Sequence, residues 1–339
     1  MKNLLRAVDV GFGAAKAMAD GKQIFFPSVT AQFKPIRFST GLENREITER
    51  LCVEYDGRRL FMGDIARKQG TAMVTLSPER FAGIEGMALM FASLALLADS
   101  KDETVNLVTG LPVSDFSTKR EGYEKALLGR HEIRLLKPDG GLLEYYRINV
   151  AAVKVLPQPA GSFFHQLLDA HGQLINRYLA AGNVGILDIG ANTIDLARFD
   201  KLDFIDDESE SFSDLGMFEV FKALSRLIKE TLGIEIRPAE LEPYVKTGAI
   251  PFKGEMRSII TEKKQVYMQQ AEKIVSRALN VWRDAWQLNR IFITGGGAMP
   301  MGEFLIRQFG DQRQVEICPN GTFTNCSGYM RYGKRTWGK

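Results

Sequence analysis

Apolar positions along the chain fall into short runs that stop at Gly, Asp or Pro, the pattern of buried strands feeding into turns. Arg6 to Val10 predicts a strand ending in DVGFGAAK, and Ile24 to Phe26 a second strand before Pro27, with Asp20-Gly21 as a hairpin turn between them. The polar stretch from Arg37 to Glu49 predicts an exposed insertion, and CVEYDGRRLFM a hairpin about Asp56-Gly57. A long apolar helix is expected from about Pro78 to Ala98, then a buried strand, Val105 to Thr109, ending at Gly110-Leu111-Pro112. Tyr123 to Leu128 reads as helical and Leu142 to Leu156 as strands.

A second unit opens near Pro157. Helical periodicity runs from Ser162 to Leu179, a buried strand from Val184 to Leu187, and a returning strand lies within Leu196 to Phe204. Met217 to Leu232 and Lys264 to Gln287 predict helices, and Arg290 to Thr294 a strand leading into GGGA. A helix from Gly302 to Phe309 and a strand around Val315 to Cys318 precede the tail. Each half therefore opens with strand, Asp-x-Gly turn and strand, as expected of two related α/β domains. Their predicted bounds are 1–157, completed by 319–339, and 158–318.

Composition narrows the class. The chain's 339 residues suit two domains, and 45% hydrophobic with 25% charged residues reads as globular. A net charge of +3 gives no basis for direct binding to nucleic acid. Cys52, Cys318 and Cys326 show no metal spacing and leave an odd thiol, which points to a reducing cytoplasm. The start MKNLLRAVDV lacks a signal-peptide core, and the run Met87 to Ala98 is too short to span a bilayer, so no membrane association is expected.

Three turns carry the candidate chemistry: DVGFGAAK from Asp9, DIGANTID from Asp188 and GGGAMPMG from Gly295. Asp9 and Asp188 each follow an apolar strand, where a carboxylate can hold a hard cation, often through water. Gly11, Gly13 and Gly190 let backbone N–H groups approach phosphate oxygens, and Lys16 adds a mobile positive charge. The GGGA surface, following Ile291-Phe292-Ile293, can accept an adenine or ribose. Either Asp turn alone also reads as an acidic hairpin cap. A Rossmann loop fails on position, and no Walker-A pattern occurs. In this order the three turns imply a nucleotide held between two domains.

These motifs, with LPQPAG at Leu156 to Gly161 and TNCSG at Thr324 to Gly328, resemble the nucleotide cleft of the actin, sugar-kinase and heat-shock chaperone superfamily. The resemblance implies an actin-like fold, two ribonuclease-H-like α/β domains enclosing a nucleotide cleft. The form of the first loop, FFPS, Gly110-Leu111-Pro112, SDLGMFEV, KTGAIPFKG and NCSGYMRYG are similar to the bacterial plasmid-segregation actins of the ParM and StbA group. By that resemblance, Asp9 and Asp188 would organise waters around magnesium and Lys16 would touch bridging phosphates. Gly11, Phe12, Gly13, Lys16, Gly190, Ala191, Asn192 and Thr193 would line the phosphates, and Gly295, Gly296, Gly297 and Ala298 the adenosine. Gln158 would orient the attacking water, and as a neutral amide it implies slow hydrolysis. The expected ligands are ATP or ADP, with GTP as alternative, and magnesium. The expected partners are further copies in a filament and a DNA-binding adaptor.

Two other functions compete. A small-molecule kinase on this fold needs an acidic base, for which Asp195 is the candidate; a non-polymerising nucleotide switch would share every motif. His165 and His171 read as packing or surface groups, the acidic stretch Asp200 to Asp214 as a solvated loop, and Arg331 to Lys339 as a surface tail.

Overall fold

In the computed structural model, which describes residues 3–38, 46–69, 81–310 and 314–338, the chain divides into two units. Met1–Arg177 and Phe323–Lys339 form the first, and Tyr178–Thr322 the second. The sequence expectation put the boundary at Pro157; the contacts group the helix and turn after it with the first unit.

The first unit contains β1 (Leu4–Val10), β2 (Ala14–Ala19), β3 (Lys22–Pro27), β4 (Thr30–Gln32), β5 (Cys52–Tyr55), β6 (Arg58–Met62), α1 (Asp64–Gln69), α2 (Ile84–Leu97), β7 (Asp102–Leu111), α3 (Val113–Leu127), β8 (Gly129–Leu136), β9 (Leu142–Pro157) and α4 (Gln158–Leu167). Its strands make one sheet in the order β3-β2-β1-β7-β9-β8-β5-β6-β4. β1, β7 and β9 are mutually parallel, while β2 and β3 return antiparallel from the first glycine turn. The apolar run predicted as a helix is α2, buried on nearly all sides; Phe91 stacks on Tyr55 and His131. Of the expected start of this helix, 78–80 lie outside the described residues, as do 39–45 of the expected insertion.

The second unit contains α5 (Arg177–Ala180, its first residue in the first unit), β10 (Asn183–Ile189), β11 (Ile194–Asp200), β12 (Asp203–Phe204), β13 (Glu210–Phe212), α6 (Met217–Leu232), α7 (Glu242–Thr247), β14 (Ala249–Phe252), β15 (Glu255–Ser258), α8 (Ile260–Val281), β16 (Arg290–Thr294), α9 (Ala298–Phe309) and β17 (Val315–Ile317). Its main sheet runs β12-β11-β10-β16-β17, with β13 beside β11. The repeat read from the sequence is explicit here. β12-β11-β10-β16-β17 has the same sequence of antiparallel and parallel pairings as β3-β2-β1-β7-β9. β14 and β15 form a separate hairpin that no periodicity announced.

Several boundaries move for identifiable reasons. The helix expected to Leu179 stops at Leu167, because Asp169 Oδ1 accepts the N–H groups of His171 and Gln173 and Gly172 turns at φ +80°. α8 ends at Val281, short of Gln287, and a single turn of tighter helix covers Ala285–Gln287. α9 starts at Ala298, earlier than Gly302, since Pro300 is tolerated in a first turn. The acidic stretch contributes β12 and β13 to the sheet, and its Glu208 pairs with Arg198. The basic end is ordered as α10 (Gly321–Trp337): Arg331 donates to the carbonyls of His165 and Leu168, and Lys334 pairs with Asp20 at 2.7 Å.

Candidate functional site

In the first unit, β1 and β2 bring Asp9 and Lys16 into direct register, and the two side chains meet at 3.1 Å between Lys16 Nζ and Asp9 Oδ2. The turn between them is closed by the Gly11 N–H on the Ala14 carbonyl at 3.1 Å, with Phe12 and Gly13 at its tip. Gln158, the first residue of α4, donates its Nε2 to Asp9 Oδ1 at 3.0 Å. Asp9 is 2% exposed, so its charge is compensated by one ammonium and one amide inside the protein. Three residues singled out separately in the sequence thus converge on one carboxylate. A Cβ on Gly11 would stand 3.2 Å from the Ala14 carbonyl oxygen and 3.6 Å from Lys16 Nζ, which keeps this turn without side-chain bulk.

In the second unit, Asp188 near the end of β10 pairs in register with Asp195 on β11 and Thr294 on β16. Gly295, at φ +86°, packs its backbone so closely on Asp188 that a Cβ would overlap the carboxylate and come within 2.8 Å of the Ile189 carbonyl carbon. Gly297 donates its N–H to the Ile189 carbonyl at 3.0 Å, so the end of β10 and the GGGA loop are one structure. Gly296 has open space where a Cβ would stand. Gly190, Ala191, Asn192 and Thr193 form the second turn; the carbonyls of Gly190 and Ala191 accept the N–H groups of Met217 and Phe218, the first turn of α6. Gly216 makes this possible, since a Cβ there would lie 2.7 Å from the Asn192 oxygen.

Asp195 does not suit the role of a base. It is 3% exposed, and its oxygens accept Thr193 Oγ1 at 3.3 Å and Ser211 Oγ. It fixes the loop that carries Thr193 rather than presenting itself to a substrate hydroxyl. His165 is a packing group: Nδ1 meets Ser327 Oγ at 2.8 Å, and burial, with Arg331 adding, lowers its pKa to about 4. His171 lies in the turn after α4.

The donor set suits a magnesium nucleotide. Among the described residues no group of three His, Cys, Asp or Glu side chains gathers for a metal, so a cation here would rely on single carboxylates, water and the phosphates themselves. TNCSG was linked to the cleft by resemblance, but Cys326, Asn325 and Tyr329, all on α10, were given no individual role. Cys326 donates its thiol to the Lys16 carbonyl at 3.2 Å; burial, and then the charge of Asp9, push its pKa up, so it stays a neutral donor. The signal was present as small and polar residues flanking Gly328, though only the fold shows what they touch.

The two units share a duplicated α/β architecture, each with an Asp-Gly hairpin after its first sheet strand. A family model described as actin like proteins, N-terminal domain, matches residues 7–161, and one described as archaeal actin homologue MreB-like, C-terminal, matches residues 186–307. The chain belongs to the actin-like superfamily. Its fold is similar to that of a 15-stranded ParM filament from Clostridium botulinum, with a TM-score of 0.81 at 20% identity over 99% of this chain and 100% of that one. It is also similar to Ta0583, an archaeal actin homologue solved with ADP, at TM-score 0.77 and 19% identity over 98% and 99% of the two chains. Bacillus thuringiensis ParM with AMPPNP gives TM-score 0.74 at 17% identity over 97% and 98%. No curated protein sequence matches the chain. No helix among the described residues is long and apolar enough to cross a membrane.

Proposed function

We propose that this chain is a filament-forming ATPase that assembles with nucleotide bound, hydrolyses it slowly, and segregates plasmid DNA through a DNA-binding adaptor. The observation that carries the reading is the buried Asp9 with Lys16 and Gln158 on its two oxygens. A cation for phosphate oxygens, a carboxylate for magnesium-bound water and an amide for the attacking water belong together at a phosphoryl site. In the first unit the loop Gly11 to Gly13 would approach phosphates; in the second, Gly190 to Thr193 would approach phosphates, Gly295 to Ala298 an adenosine, and Asp188 would be the second carboxylate. Bound magnesium nucleotide supplies the phosphoryl electrophile and the charge that Lys16 offsets. Gln158 orients water without taking its proton, which keeps turnover slow.

The filament solved for the Clostridium botulinum relative and the nucleotides in two others support assembly and ATP or ADP as ligands, with GTP as the alternative. Three free, buried cysteines suit a reducing cytoplasm, and the near-neutral charge suits an adaptor rather than direct DNA contact.

The test is light scattering, sedimentation and electron microscopy with magnesium ATP. Polymer should appear above a critical concentration, and Gln158→Ala should slow phosphate release by roughly a hundredfold with nucleotide affinity retained, giving longer-lived polymer. A protein that stays monomeric with every nucleotide and phosphorylates a small hydroxyl compound would replace this reading with a kinase; nucleotide binding without polymer would replace it with a switch.

A further inference from the structure

The first turn of α4 is gripped from α10. The Ser162 N–H donates to Asn325 Oδ1 at 3.1 Å, and the same oxygen accepts Ser162 Oγ at 2.7 Å. The Gln158 carbonyl accepts the Tyr329 hydroxyl at 3.3 Å. Side chains of α10 thus bond both the first residue of α4 and Ser162, one turn later. Ser162 and Tyr329 are fully buried and Asn325 nearly so, so these bonds lie out of water, where their loss is costly. Gly110, at the end of β7, completes the arrangement: a Cβ there would overlap the Tyr329 hydroxyl and stand 3.1 Å from Gln158 Cγ.

We infer that Tyr329 and Asn325 are positioning residues for Gln158. They hold the backbone of its turn while Asp9 holds its side chain. A carboxylate only accepts, so the amide nitrogen of Gln158 faces Asp9 and Oε1 is the end turned away from it, able to accept a hydrogen bond from water. Tyr329 and Asn325 therefore act on the hydrolytic step and not on nucleotide affinity. The inference rests on the reading that Gln158 orients the attacking water.

The test measures phosphate release per polymerised subunit and nucleotide affinity for Tyr329→Phe, Asn325→Ala, Gln158→Ala and the double variants, with thermal unfolding to confirm folding. Tyr329→Phe keeps the ring and removes one oxygen; it should lower turnover about three- to tenfold and leave affinity within about twofold. Asn325→Ala should act in the same direction, and if it fails to fold Tyr329→Phe carries the test. In the Gln158→Ala background neither substitution should slow hydrolysis further, a coupling that a merely structural role would not produce. Unchanged turnover in Tyr329→Phe, or effects that multiply with a normal Gln158→Ala defect, overturn the inference alone. Unchanged turnover in Gln158→Ala overturns the water-orienting reading, and the inference with it.

Discussion

Replacing Gly161 by Ala tests the helix contact on which Gln158 depends. A Cβ at Gly161 would stand 2.6 Å from the Asn325 carbonyl oxygen, 2.7 Å from Asn325 Cα and 2.7 Å from Tyr329 Cε1. Two of these atoms are backbone and cannot swing aside, so α10 must back away by nearly an ångström to reach an ordinary contact of about 3.5 Å. That displacement stretches the Tyr329 bond to Gln158, already 3.3 Å, out of range, and strains the 2.7 and 3.1 Å bonds from Asn325. Overpacking costs about 1–3 kcal/mol, the one lost buried hydrogen bond about 1 kcal/mol and the two weakened ones about 0.5 kcal/mol each. The better helix propensity of Ala returns about 1 kcal/mol, for a net loss of about 2–4 kcal/mol. Because a chain of two units need not unfold in one step, hydrogen exchange of peptides from α4 and α10 is the suitable assay. Exchange there should rise from about thirtyfold to several hundredfold. Gly122→Ala on the exposed face of α3, where a Cβ meets nothing within 4 Å, should stabilise by about 0.5–1 kcal/mol. Exchange in Gly161→Ala within about threefold of the parent would refute the packing argument.

Further outcomes follow from the same residues. His165, held near pKa 4 against an ordinary 6.5, is neutral in the fold, so its contribution is complete above about pH 6.5 and is lost as pH falls toward 4, where the unfolded chain takes up the proton first; urea midpoints at pH 7.5 and 5 should show this, and His165→Gln should flatten the difference. Asp9→Ala and Asp188→Ala should each weaken magnesium-dependent nucleotide binding by roughly tenfold or more, or abolish turnover; unchanged binding and turnover in both would move the nucleotide elsewhere. Cys326, buried with its pKa raised, should resist thiol reagents in the native protein and react only on unfolding; rapid native labelling would contradict the placement of α10.

Much of the strand framework and the candidate turns was legible because both depend on short, local patterns. Asp9 and Asp188 are marked by the apolar runs before them and the glycines after them, and their hairpins needed no distant partner to be read. Gln158 was placed by resemblance. What escaped was decided by packing between remote segments. The closing helix α10 contains Gly321, Gly328 and Gly333, a poor helix former read in isolation, yet Gly328 lies against Gly161 and Gly333 against Leu5 and Val108. Its basic residues read as a surface tail, but Arg331 caps the end of α4. Likewise Asp195 looked free for chemistry until β13, hidden within an acidic stretch, brought Ser211 to its carboxylate.

The assignment of α10 to the first unit bears on how the protein is made. Tyr329 and Met330 pack in one cluster with Ala7 and Val108, so residues synthesised after the second unit join those synthesised before it. Tyr178–Thr322 can gather its contacts as it leaves the ribosome, whereas the first unit lacks part of its core until Phe323–Lys339 has been made. At about 5–20 residues per second, α4 would wait on the order of ten seconds or more for its partner. During that interval Gly110 and Gly161, which are bare where Tyr329 and Asn325 press on them, lack the segment that covers them.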